Sequence, residues 1–224
     1  MPTADLSIHS AERRESTGEI LADAIVHAVA IMAGIVALSV LFGALVRHGD
    51  VGEALAVGVY AACFLALFGF SAAYNLAPVS PVKNLLRRFD HSSIYLMIAG
   101  TYTPLLTQFH DRFWAWTLGA VVWIGALAGI VVKIAMPRRY DRASIVAYVS
   151  LGWIVVIAVE PLVEAIPLSG VVLIAVGGLL YTTGIVFHLW RGLIFQNAIW
   201  HLFVAAAAGC QYAGIAVSLT QGQA

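Results

Sequence analysis

Long apolar windows with almost no charge recur along nearly the whole chain, and no other feature restricts the fold so strongly. A window of 18 or more such residues crosses a bilayer core of roughly 30 Å as a single helix. Seven spans are predicted, at about Ile20–Val46, Gly52–Leu76, Phe89–Gln108, Phe113–Ile134, Ala143–Val159, Leu168–Trp190 and Asn197–Thr220. The fifth is the least regular, because Glu160-Pro161 closes it early and Tyr148 and Ser150 lie inside it. Composition agrees: 61% of the 224 residues are hydrophobic and 11% charged, where soluble domains carry roughly 25% charged residues. The expected class is all-α, an integral membrane bundle of seven transmembrane helices. It divides into an N-terminal segment (1–18), a transmembrane domain (19–220) and a short tail (221–224).

The first 18 residues are polar and mixed in charge, with Glu15 following Arg13 and Arg14 where a signal peptide would become apolar. No cleavable leader is expected, and the first helix serves as the insertion signal. A net charge of zero says nothing about nucleic-acid binding, and no basic stripe suggests it, so no nucleic-acid partner is expected. Cys63 and Cys210 both fall inside apolar spans and read as buried, inert thiols.

Seven spans place the loops alternately on two sides. Arg13, Arg14, Lys83, Arg87, Arg88, Lys133, Arg138, Arg139, Arg142 and Arg191 fall on the side of the N-terminus, and only Arg47 and Arg112 on the other. Positive charge near span ends marks the cytoplasmic face. The expected location is therefore the inner cell membrane, with the N-terminus cytoplasmic and the C-terminus outside. The acidic stretch "EPLVEAIPLSG" then lies outside.

With orientation set, the polar residues inside the spans acquire depths. Asp23 and His27 in "DAIVH", Ser71 and Asn75 in "SAAYN", Asp90 and His91, His188, and Asn197 and His201 in "NAIWH" all fall near the cytoplasmic ends of their spans. Three of these pairs are spaced by four residues, so both members project from one helix face. Ionisable groups in a membrane normally face the protein interior or a water-filled cavity. The pattern predicts an inward-facing polar pocket open to the cytoplasm. Ordinary explanations compete: polar side chains near a helix end can reach headgroups, and Asp90 suits the N-cap of the third span. His91, one residue on, points about 100° away and need not share the role of Asp90.

"GEILADAIVHAVA" (18–30), "SAAYN" (71–75), "VKNLLRRFDHSSIYLMIAGTYTPLL" (82–106) and "NAIWHLFVAAAAGCQY" (197–212) resemble, in that order, the hemolysin III family, bacterial relatives of the progestin and adiponectin receptors. The resemblance covers essentially the entire chain. It implies a seven-helix membrane protein similar to zinc-dependent hydrolases such as the ceramidases, with Ser71 and Asp90 as catalytic positions. It also implies a metal site at positions 75, 197 and 201, here Asn75, Asn197 and His201, with Gln211 where a further histidine often stands. Two amides occupy places the pattern gives to imidazole, and neutral amide oxygen is a poor zinc ligand. The inherited zinc site keeps one good ligand of three, and Asp23, His27 and His188 line the surrounding pocket.

Two functions follow. One is a metal-dependent membrane hydrolase of lipid amides or esters, with a degenerate or rearranged site. The other is a non-enzymatic protein whose polar pocket binds a lipid-like ligand and acts in membrane-lipid homeostasis or hemolysis. An ion pathway is disfavoured, because the ionisable groups crowd one end. Membrane lipids are the expected partners in either case.

Overall fold

The computed structural model describes residues 15–136 and 140–221. Arg13, Arg14, Arg138 and Arg139, counted above, lie outside them. Eight α-helices follow in order: α1 (Thr17–His48), α2 (Val51–Leu76), α3 (Pro81–Leu106), α4 (Arg112–Ala135), α5 (Asp141–Gly152), α6 (Val159–Ala165), α7 (Leu168–Leu189) and α8 (Gln196–Gln221), with a 3₁₀ turn, Ile154–Ala158, joining α5 to α6. Among the described residues, six segments are long and apolar enough to cross a membrane: α1, α2, α4, the α5-to-α6 segment, α7 and α8.

Local chemistry sets the helix ends. Ser16 accepts the Glu19 amide hydrogen while the Glu19 carboxylate accepts that of Ser16, a reciprocal cap that starts α1. Gly49 ends α1 at φ 86°, a left-handed conformation that glycine adopts without strain. Ser80 caps α3 by accepting the Lys83 amide hydrogen, with Pro81 in the first turn, where its missing N–H is no loss. Asp90 therefore does not open the third helix. It sits in the third turn, because "PVKNLLRR" continues the helix below the apolar stretch. The Asp111 side chain caps α4 through the Phe113 amide.

The expected early stop at Glu160-Pro161 is also corrected. The helix breaks earlier, at Gly152–Trp153, and resumes as α6, which carries Pro161 in its first turn without losing an intrahelical bond. The break is patched from α3. Tyr102 donates its hydroxyl hydrogen to the Gly152 carbonyl (2.8 Å) and accepts the Val155 amide hydrogen (3.1 Å). Broken backbone at membrane depth is tolerated where protein groups satisfy it in this way.

The outer faces are apolar. Ile25, Met32, Val36 and Val40 form an exposed stripe on α1, and Ile124, Leu127 and Val131 form one on α4. Such faces suit lipid rather than water, and the chain is a multi-pass membrane protein. Inside, α2 supplies the buried axis with Val57, Tyr60, Phe64, Leu67 and Phe68. α3 runs antiparallel beside it. Gln108 after the end of α3 donates to Glu53 at the start of α2 (2.7 Å), and Phe70 stacks on Phe89 towards the opposite end (5.1 Å between centroids). The contact is close: a β-carbon on Gly100 would lie 2.6 Å from the Cys63 β-carbon. Both cysteines are free thiols; Cys63 is buried as expected, whereas Cys210 is only half-buried.

Candidate functional site

On α1, residues 19, 23 and 27 recur every fourth position, so Glu19, Asp23 and His27 form one polar stripe on an otherwise apolar helix, and all three are buried. Ser71 and Asn75 at the end of α2, Asp90 in α3, and Asn197 and His201 at the start of α8 meet this stripe at the end of the bundle where α1 begins. The four-residue pairs thus converge as the spacing implied.

The contacts centre on one hydroxyl. Ser71 Oγ lies 3.0 Å from His27 Nε2 and 3.1 Å from His201 Nε2, with the two imidazoles edge to face at 4.4 Å. Asn75 Nδ2 donates to the same oxygen at 3.3 Å and to the Ser71 carbonyl at 2.9 Å. Behind the imidazoles stands Asp23. Its Oδ1 is 2.5 Å from His201 Nδ1, and its backbone carbonyl is 2.9 Å from His27 Nδ1. Asp90 faces Ser71 and His201 from α3.

The partners fix the hydrogens. A carbonyl and a carboxylate only accept, so Nδ1 of both rings carries hydrogen, which leaves each Nε2 of a neutral imidazole as an acceptor. Ser71 has one hydrogen to give and two Nε2 atoms waiting. It donates to one of them at a time, and when it donates to His201, His201 in turn donates its Nδ1 hydrogen to Asp23. The second Asp23 carboxylate oxygen lies 3.6 Å from His27 Nδ1.

Asp23, His27 and His201 also offer metal-donor atoms within 4.8 Å of one another. The donor types suit a transition metal. As arranged, however, the Asp23 carboxylate is taken up by His201 Nδ1, so the two Nε2 atoms are the imidazole donors left to face an ion. A catalytic zinc normally has three protein ligands, and with Asp23 Oδ1 held by His201 the third would be Asp23 Oδ2. Asn197 Nδ2 lies 3.5 Å from Asn75 Oδ1 and 2.6 Å from Glu15 Oε1. Those amides bond each other and a neighbouring carboxylate.

The expected pocket residue His188, and Gln211, make their contacts elsewhere. The His188 ring packs on Trp200 at 5.0 Å, and Trp200 in turn lies 6.5 Å from the His201 ring. Gln211, ten residues beyond His201 and so about 15 Å along α8, donates to the Ile174 carbonyl. Residues not singled out from the sequence support the site from outside. Glu19 Oε1 accepts the amide hydrogen of Phe195, whose φ of 60° turns the chain into α8. Asp141 bridges Arg87 (2.8 Å) and Lys133 (2.7 Å), tying α3, α4 and α5 together at the same end of the bundle. The i−4 spacing of Glu19 from Asp23 was the available signal for the first; none existed for the second.

Comparison with known proteins bears on this geometry. The family described as Haemolysin-III related matches residues 19–212. The chain is 38% identical over 194 residues to Hemolysin-3 of Bacillus cereus, covering 87% of this chain and 89% of that protein. It is 34% identical over 194 residues to the Hemolysin-3 homolog of Bacillus subtilis (strain 168), covering 87% and 91%. It is also 30% identical over 174 residues to the human Monocyte to macrophage differentiation factor, covering 74% of this chain and 71% of that one. No solved structure matches. The match includes Asp23, His27, Ser71, Asn75, Asp90, Asn197 and His201, and the chain belongs to the haemolysin III-related family.

Proposed function

We propose that this protein is a membrane-embedded hydrolase that cleaves the acyl C–O or C–N bond of an ester or amide lipid, working at the cytoplasmic end of a seven-span bundle. One observation carries the reading. A serine hydroxyl, two imidazoles and a carboxylate from three helices form a hydrogen-bonded set, buried among apolar residues. Such a set is costly in lipid unless it has work to do, and acid–base groups within hydrogen-bond reach of one another are the machinery of acyl-bond cleavage. Half-buried Asn75, Asp90 and Asn197 line the way from the helix ends to the set. A lipid acyl chain entering along the exposed apolar faces would bring its carbonyl to that depth.

The topology rests on charge and geometry. α3 is antiparallel to α2 within the bundle, which favours a seventh crossing. Lys83, Arg87, Arg88, Lys133, Arg142 and Arg191 belong to the end where α1 begins, against Arg47 and Arg112 at the other, which favours a cytoplasmic N-terminus in the inner membrane. Membrane-lipid homeostasis is the role this chemistry serves. The lysis named in the Bacillus relatives would follow from accumulation of bilayer-disrupting cleavage products.

A second reading, in which zinc is held by Asp23, His27 and His201, is favoured by the proximity of their donor atoms. A bound metal would supply an activated water and polarise the substrate carbonyl. The test of the hydrolase reading is acyl release: the protein in proteoliposomes of phosphatidylethanolamine, phosphatidylglycerol and ceramide should liberate free fatty acid, read by mass spectrometry. His201→Ala should abolish it. Equal release from both, or none from the native chain, would leave a ligand-binding role instead.

A further inference from the structure

The geometry points to Ser71 as a covalent nucleophile, with His201 as its general base and Asp23 as the group that positions that base. This goes deeper into the hydrolase reading and rests on it. The distances form a chain in the required order: Ser71 Oγ to His201 Nε2 at 3.1 Å, and His201 Nδ1 to Asp23 Oδ1 at 2.5 Å. A nucleophile within reach of a base that is itself oriented by a third group defines this chemistry on unrelated folds, whatever the sequence order. Here the members come from α2, α8 and α1. The partner atoms set the tautomer independently: the Asp23 carboxylate requires hydrogen on His201 Nδ1, which leaves Nε2 free to accept the serine proton.

The surroundings fit the rest of the reaction. Asn75 Nδ2, 3.3 Å from Ser71 Oγ, is an amide donor beside the place where negative charge would develop on a substrate oxygen. His27 Nε2 approaches the hydroxyl from the other side, at 3.0 Å. The amide at position 75 is a weak metal ligand but a good oxyanion donor. Asp23, which reads from sequence as a pocket residue, acquires a defined task.

The step balances. Ser71 Oγ bonds to the carbonyl carbon of R–CO–X while its hydrogen passes to His201 Nε2. The C–X bond breaks as His201 returns that hydrogen to X, releasing HX and leaving the acyl group as an ester on Ser71. Water then gives one hydrogen to His201 and its hydroxyl to the acyl carbon. Release of R–COOH returns the hydrogen to Ser71. No oxidant, reductant or metal enters.

The test uses the full chain in mild detergent, dialysed against EDTA, and an alkyl fluorophosphonate, which phosphonylates activated serines with loss of fluoride. Peptide mass spectrometry should find one adduct, on Ser71, absent in Ser71→Ala. His201→Gln should slow labelling by about 10²- to 10⁴-fold, the usual contribution of a general base. Asp23→Asn should slow it too, and Asp23→Glu should restore part of the rate, which a merely structural role would not do. Size-exclusion profiles matching the native chain establish that each variant is folded. No adduct on Ser71, or labelling indifferent to His201→Gln, overturns the nucleophile. So does fatty-acid release that persists in Ser71→Ala or vanishes with EDTA, although the hydrolase reading then survives. Labelling of Ser71 that depends on His201, without fatty-acid release from any lipid offered, sustains the activated serine and rejects the hydrolase reading.

Discussion

Asp23 and His201, 178 residues apart in sequence, are joined by a 2.5 Å contact between Oδ1 and Nδ1 that pins α8 to α1 inside the bundle. Both are buried, so the contact is not screened by water. Asp23→Asn replaces an accepting carboxylate with a group that can also turn a donor toward His201. It should cost about 2 kcal/mol, in the range of a hydrogen bond to a charged group. Glu164→Gln, at an exposed position, should stay within about 0.5 kcal/mol of the native chain. Thermal unfolding in detergent compares the two; equal effects would mean that the contact holds nothing together.

The patched break between α5 and α6 makes a separate prediction. Tyr102→Phe removes the hydroxyl that serves both the Gly152 carbonyl and the Val155 amide. Both backbone groups lose their side-chain partner, so the loss should amount to about 2 kcal/mol. Hydrogen exchange should accelerate at Val155 while the amides of α7 stay protected. Unchanged exchange at Val155 would show that another group serves the break.

Lys133 is 4% exposed and depends on Asp141, whose side chain is 40% exposed. Asp141→Asn leaves a buried ammonium without its countercharge. Discounted for the solvent around Asp141, the expected loss is about 1–3 kcal/mol. The double variant Asp141→Asn with Lys133→Met should be more stable than Asp141→Asn alone, because it removes the stranded charge. Simple additivity in thermal unfolding would contradict that account.

Position 75 neighbours Ser71, and position 197 neighbours position 75, at the end of the bundle that holds His201. Asn75→His with Asn197→His supplies three imidazoles where the family resemblance implies metal ligands. This double variant should gain about one equivalent of zinc, read by elemental analysis after gel filtration. If it binds no more zinc than the native chain, the two amides are not what makes the inherited set unfit.

Much of this was legible because the membrane simplifies the problem. Each span has one direction, so the position of Ser71 or His201 along its helix becomes a depth, and four-residue spacing fixes which side chains share a face. Rotation of one helix against another is not written in that pattern. Asp23 shares a face with His27, yet its carboxylate makes its short contact with His201, and His188 at the same depth lies behind Trp200. The start of α3 was obscured for a different reason. "PVKNLLRR" is polar enough to end an apolar window, while Ser80-Pro81 carries the true helix signal in two residues. Pro161 looked like a stop because sequence does not reveal that the helix has already broken and restarted two residues earlier.

The central claim is that Asp23, His27, Ser71 and His201 bond one another and work without a resident metal. Metal content tests this most directly. The native chain, purified in mild detergent with no chelator added, should contain far less than one equivalent of any transition metal. One equivalent of metal, lost in His201→Ala and in His27→Ala, would contradict the claim and transfer the chemistry from the serine to the ion.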